Sequence, residues 1–333
     1  MKALVIPAVG ETPRYDDVDE PKPSPGEALV RVAAAALNHR DVWITKGMYP
    51  GISLPCTPGS DGCGVVEAVG DGGDESWVGR SVVIDPGLDW GPAESHQGEG
   101  FNILGMPRAG TLAEKVTVPI ANLRDKPEHL TDEQAAALPL AGVTAWRATM
   151  TQARMKSGDK VIINGIGGGV ALTAMQLAVA LGCKVWVTSS KKDKIGRAQE
   201  LGAEAGFLYT DERWGKQARK TLGGGADVIV DSAGGSGFGE LIDALAPGGR
   251  IAVYGATRGK WPELHPAKLF FKQATIACST MGSPREFTAL CDFVRDEKLV
   301  PEIDRSFSLE RGAEAFEHLA SGAQMGKVVV KPG

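Results

Sequence analysis

The chain has 333 residues, 43% hydrophobic and 23% charged, which fits a globular protein of about two domains with a sizeable core. Its 36 basic and 41 acidic residues leave a net charge of −5, which excludes the broad basic footprint of a nucleic-acid surface. The opening MKALVIPAVGETPRYDD holds too short an apolar run for a secretory leader, and the longest weakly polar stretch, Val170 to Gly182, is far short of the roughly 20 residues of a membrane span. The expected protein is therefore cytoplasmic, with neither membrane nor nucleic acid as a partner. Cys56, Cys63, Cys183, Cys278 and Cys291 include no C-x-x-C pair, as expected for free thiols in a reducing compartment.

From about 1 to 125, short β-rich runs (ALVRVAAAAL, GCGVVEAVG, RSVVIDPG, TLAEKVTVP) are broken by Gly and Pro, the texture of a compact β-barrel. From about 126 to 283, apolar strands alternate with helical patterns, which predicts βαβ units and a parallel sheet. TDEQAAALPLAGVTAWRATM predicts a helix opened by Thr131 with Gln134 three residues on, interrupted near Pro139. KVIING, KVWVTS, AGFLY, ADVIVDSAG, RIAVYGA and TIACST predict six strands, with helices between them. Residues 284–296 predict a helix. The closing α/β pieces are expected to pack back on the first domain, which 284–333 would complete.

The segment Gly165-Ile166-Gly167-Gly168-Gly169-Val170-Ala171 joins a strand to a helix. Without Cβ atoms the backbone can approach a pyrophosphate, and the helix start offers unpaired N–H groups and a positive dipole end. Position 170 is Val, so the spacing is G-x-x-G-x-x-A rather than the strict fingerprint. An NAD site places an acid at the end of the second strand; here Ser189, Ser190 and Lys191 stand there. A lysine about 4 Å from a phosphate is worth on the order of 4 kcal/mol before desolvation and screening, and a third of that gives about tenfold selectivity. The expected cofactor is NADPH. Ser232 and Gly255, just past two further strands, fall at the C-terminal sheet edge that lines a doubly wound cleft.

GEALVRVAAAALNHRDVWITKGMYP, PGSDGCGVVEAVG, GTLAEKVTVP, AALPLAGVTAWRA, the glycine turn, LGAEAGFLY and GKVVVKPG together resemble the medium-chain dehydrogenase/reductase superfamily, in its order and through nearly the whole chain. The resemblance implies a GroES-like catalytic domain, a Rossmann α/β domain with a doubly wound parallel sheet, and a cleft between them. At the positions matching the family's catalytic zinc ligands stand Asn38, Ser60 and Leu140, and the loop matching its structural zinc lobe lacks cysteine. None of these makes the N/S site zinc favours. The pattern is similar to the zinc-free quinone-oxidoreductase branch, including bacterial zinc-type alcohol dehydrogenase-like proteins without the ligands.

That resemblance implies Asn38 as donor to the acceptor oxygen and Tyr49 as a phenolic donor or aromatic wall. Asp41 is a third candidate, with an ion pair to Arg40 that orders the loop. Thr144 is implied at the nicotinamide end, Tyr209 near the adenosine phosphate and Lys327 closing the site from the tail. Without a Lewis acid, hydride addition to a quinone or enone is the expected reaction, because the acceptor spreads its own charge. A homodimer pairing through TIACST is expected. A zinc-type alcohol dehydrogenase and a non-catalytic NADPH-binding sensor or scaffold stay open as alternatives.

Overall fold

The computed structural model describes residues 1–333 as two compact units, Met1–Val143 with Ser283–Gly333, and Thr144–Gly282. The division falls at 143/144, whereas the sequence reading starts the second domain at 126. The intervening residues stay with the first unit because the helix Asp132–Ala136 packs on that unit's sheet.

In chain order the first unit contains β1 (Lys2–Val5), β2 (Arg14–Asp17), β3 (Glu27–Ala36), α1 (His39–Thr45), β4 (Asp61–Val69), β5 (Ser81–Ile84), β6 (Gly87–Leu88), β7 (Asn102–Ile103), β8 (Lys115–Pro119), β9 (Leu123–Asp125), α2 (Asp132–Ala136) and the start of α3 (Pro139–Trp146). The second holds β10 (Lys160–Asn164), α4 (Gly169–Ala180), β11 (Lys184–Ser189), α5 (Lys192–Glu200), β12 (Ala205–Leu208), α6 (Trp214–Thr221), β13 (Ala226–Asp231), α7 (Phe238–Ala244), β14 (Leu245–Val253), α8 (Ala267–Phe270) and β15 (Thr275–Cys278). The chain then returns to the first unit with α9 (Pro284–Asp296), β16 (Ile303–Ser308), α10 (Gly312–Ala320) and β17 (Lys327–Lys331).

The first unit is a GroES-like barrel. Its main sheet runs β16-β17-β3-β4-β5-β9, with β8 on β3. The long β3 is paired to β4, β8 and β17, so Ala34, Ala35 and Ala36 of its AAAA run lie inside and pack by close approach rather than bulk. Leu4, Ile6, Val30, Val66, Ile84, Leu112, Phe307 and Val330 belong to one buried cluster. β17 lies antiparallel to β3, Val329 opposite Ala36, so the tail completes the barrel. α2 opens with the expected Thr131–Gln134 capping box, and α9 with Ser283, Pro284 and Glu286 in the same pattern.

The second unit is a Rossmann-like parallel sheet in the order β12-β11-β10-β13-β14-β15. Its central strands are near-continuous apolar runs because both faces are covered. Order reverses between β10 and β13, where a doubly wound sheet opens a crevice at its C-terminal edge. No helix is long and apolar enough to cross a membrane.

Candidate active site

The glycine turn is built as its composition requires. Gly165 has φ +78° and Gly167 φ +139°, values that side chains oppose. Gly168 is the N-cap of α4, with no side chain capping the helix start. A Cβ at Gly165 or Gly168 would meet no protein atom within 4 Å, so the turn leaves open space in front of it. Gly169 and Val170 begin the helix and present its first N–H groups there.

Three polar side chains at strand ends hold this turn, and sequence reasoning did not single them out for it. Asn164 Nδ2 donates to Asp231 Oδ1 at 2.7 Å, and Thr188 Oγ1 donates to Asn164 Oδ1 at 2.6 Å. Gly165 N donates to Thr188 Oγ1 at 2.9 Å, while Asp231 accepts from the amides of Ala233 and Gly234. The available signal was a polar residue at the end of β10 and β13 and one place before the end of β11.

At the end of β11, Ser189 is buried, and its Oγ accepts from Lys191 N at 3.1 Å. Ser190 and Lys191 are exposed. Tyr209 N donates to Ser189 O at 3.0 Å, so Tyr209 follows directly on the same edge. Ser232 accepts from Thr257 N through its carbonyl, and its side chain bonds the Tyr254 phenol, whose pKa burial raises. A Cβ on Gly255 would come 3.1 Å from Ser232 O. Thr144, at 6% exposure, directs Oγ1 to the Met281 sulfur at 3.9 Å.

The barrel unit carries a second constellation. Asn38 is the N-cap of α1, where Asp41 closes a capping box on its backbone N–H. Its Nδ2 donates to Asp61 Oδ2 at 2.9 Å, and its Oδ1 accepts from Lys327 Nζ at 2.7 Å. Lys327 Nζ also donates to Asp61 Oδ2 at 2.7 Å and to Leu37 O at 2.8 Å. Asp61 Oδ1 accepts from Leu140 N at 2.6 Å. Asp61 is fully buried and Lys327 is 5% exposed. All three ammonium protons are thus used inside the barrel unit, where Lys327 pairs with Asp61.

Asp41 is also fully buried. Its carboxylate accepts from Asn38 N at 2.8 Å and Gly59 N at 3.3 Å, and burial raises its pKa. Arg40 turns elsewhere: Nη1 donates to Ser60 Oγ and Leu104 O, and the guanidinium lies 4.9 Å from the Tyr49 ring centre. The expected Arg40–Asp41 ion pair gives way to these separate contacts, because each group has closer partners on the loops that flank it.

The residues present do not fit a catalytic zinc. Asn38 is tied to Asp61 and Lys327, Ser60 lies between Arg40 and Leu104 O, and Leu140 offers only its backbone N–H. No group of three or more His, Cys, Asp or Glu side chains is poised to hold a metal ion. The same test favours a dinucleotide, because the turn combines open space with an uncapped helix start.

Residues 24–128 match the alcohol dehydrogenase GroES-like domain, and residues 169–296 match the zinc-binding dehydrogenase family. A zinc-type alcohol dehydrogenase-like protein, YogA of Leptosphaeria maculans, is 34% identical over 336 residues, covering 94% of this chain and 93% of that one. The chain belongs to the medium-chain dehydrogenase/reductase superfamily. Human quinone oxidoreductase is another relative of this superfamily chain, 30% identical with 94% of this chain and 92% of that one covered. A crystal structure described as an NAD-dependent alcohol dehydrogenase superposes with TM-score 0.95 at 40% identity, covering 100% of both chains. As a medium-chain dehydrogenase/reductase the protein is an oxidoreductase that uses a nicotinamide dinucleotide.

Proposed function

We infer that this oxidoreductase uses NADPH, works without zinc and reduces quinones or other α,β-unsaturated carbonyls. One observation carries the reading: a buried lysine–aspartate pair grips Asn38, at the position the resemblance matches to a metal ligand. An amide nitrogen has two protons. Asp61 takes one, and the other is free to donate to an acceptor oxygen. The Lys327 ammonium on the amide oxygen draws electron density away from that N–H and strengthens it as a donor.

When bound, the nicotinamide group supplies a hydride. The chain's own part is to hold the dinucleotide on the Gly165–Val170 turn and to stabilise the oxygen where charge gathers as the conjugated acceptor is reduced. Such an acceptor spreads the incoming charge, so one aimed N–H serves where an unconjugated ketone would call for a Lewis acid. Tyr49, stacked beside Arg40, supplies an aromatic wall or a second hydroxyl donor. Ser189, Ser190 and Lys191 support NADPH over NADH, since a strand end of hydroxyls and a cation favours a ribose 2′-phosphate that an acid would repel.

A homodimer completes the proposal. β15 is an edge strand of its sheet, and Phe270 and Phe271 stand just before it, 61% and 81% exposed. Unpaired strand edges and exposed aromatics both favour association.

The test is the zinc content of protein purified without chelators, together with its consumption of NADPH against a panel of quinones, enones and simple alcohols. The reading expects turnover with conjugated acceptors at a zinc content near zero. About one zinc per chain with alcohol oxidation would support a zinc-type alcohol dehydrogenase, and tight NADPH binding with no turnover would support a sensor or scaffold.

A further inference from the structure

Arg258 lies outside every strand and helix, in the segment between β14 and α8, and no motif marks it. Its backbone is nevertheless pinned. Arg258 N donates to Ala233 O at 2.8 Å, Thr257 N to Ser232 O at 3.1 Å, and Gly235 N to Gly259 O at 3.0 Å. The two loops approach so closely that a Cβ on Gly235 would fall 2.8 Å from Arg258 O, and one on Gly234 would fall 2.9 Å from Gly259 O. Both glycines have positive φ, so the approach is written into the backbone.

From this fixed base the side chain reaches across the sheet edge. The Arg258 guanidinium lies 5.1 Å from the centre of the Tyr209 ring, within cation–π range. Tyr209 follows β12, and its N–H is bonded to Ser189 O, at the strand end where a ribose is read. Arg258 thus joins the loop past β14 to the edge past β12, on the same edge as Lys191. Arg258 is exposed and no carboxylate forms an ion pair with it among the described residues. A guanidinium stacked on an aromatic ring keeps its in-plane N–H groups for an anion, and its fork matches two phosphate oxygens.

We propose that Arg258 is a specificity-determining residue that clasps the ribose 2′-phosphate of NADPH together with Ser189–Lys191. The inference rests on the NADPH reading above and adds to it a residue from a different loop. It makes Tyr209 the platform that aims the guanidinium rather than a direct phosphate ligand.

Calorimetry on the full-length protein tests it, with NADPH, NADH, adenosine 2′,5′-bisphosphate and 5′-AMP as probes. Arg258→Gln should raise the Kd for NADPH and for the bisphosphate about tenfold, a loss of about 1.4 kcal/mol. NADH and 5′-AMP should change less than about twofold. Arg258→Lys should recover part of the affinity, and Tyr209→Leu should weaken the same two probes while leaving NADH in place. A wild type that prefers NADPH, with that preference intact in Arg258→Gln, would overturn the role of Arg258 alone. Equal weakening of all four probes would also overturn it, by showing contact with the adenine instead. A wild type with no preference for the 2′-phosphate would overturn the NADPH reading and this inference with it. The exposed position of Arg258 makes misfolding an unexpected outcome, and an unchanged melting temperature verifies that each variant is folded.

Discussion

Asp61 and Lys327 have exchanged water for one another and for Asn38, Leu37 and Leu140. Removing one partner from such a buried pair leaves a bare charge, at a cost of about 3–5 kcal/mol, whereas replacing both by apolar groups is often close to neutral. Lys327→Met should therefore lower the unfolding free energy by about 3 kcal/mol in urea titrations, and Lys327→Met with Asp61→Leu should regain most of it. Equal losses in the single and double variants would contradict a coupled pair. Asp85 makes a second prediction. Burial pushes its pKa up to about 7, while Gly87 N donates to its Oδ1. The folded protein then holds this proton more tightly than the unfolded chain does. This group's contribution to stability is most favourable below the ordinary carboxylate range and declines as pH rises toward about 7. Asp85→Asn keeps the acceptor for Gly87 N and removes the titration, so denaturation midpoints followed from about pH 4 to 7 should decline less in the variant than in the wild type.

The turn before α4 separates a ligand effect from a folding effect. A Cβ at Gly168 meets no protein atom within 4 Å, and its backbone is extended, at φ −80° and ψ 157°. Gly168→Val should fold, losing about 1 kcal/mol for a poorer helix N-cap. Because the branched side chain fills the open space, the affinity for NADPH and NADH alike should fall at least about tenfold, as read by quenching of protein fluorescence. Unchanged affinity would place the diphosphate elsewhere. Elements of this kind were legible because their signals are local: apolar runs ending in glycine, Thr131 with Gln134, Ser283 with Pro284 and Glu286. The glycine turn and the strand end at Ser189 were legible for the same reason. What joins Asn38 to Lys327 was not, since 289 residues separate them and only the pairing of β17 with β3 brings the lysine to the amide. Placing Lys327 where the tail closes the site rested on a matched position. Its three hydrogen bonds inside the barrel unit are tertiary facts that no spacing carries. Arg40 and Asp41 illustrate the same limit, as neighbours in sequence that turn to different loops.

For the whole molecule, the two units divide the proposed chemistry between them. The barrel unit supplies the amide donor and its buried ion pair, and the Rossmann-like unit supplies the dinucleotide turn and the cationic edge around Ser189 and Arg258. The proposed association rests on the second unit's sheet edge, where β15 is the last strand. Phe271→Asp puts a charge on an 81% exposed aromatic beside β15. Sedimentation velocity should show two chains for the wild type and a shift toward one for the variant, and a wild type that sediments as one chain would remove the dimer. In the proposed reaction an amide polarised by a buried ammonium, Asn38 against Lys327, takes the place of a metal. Stopped-flow decay of the NADPH absorbance in a single turnover with a benzoquinone, using chelator-treated protein, tests it most directly. Full hydride transfer without metal is expected, slowed about 10²-fold in Asn38→Ala at saturating cofactor. Transfer that disappears on metal removal, returns with added zinc and is indifferent to Asn38→Ala would contradict it.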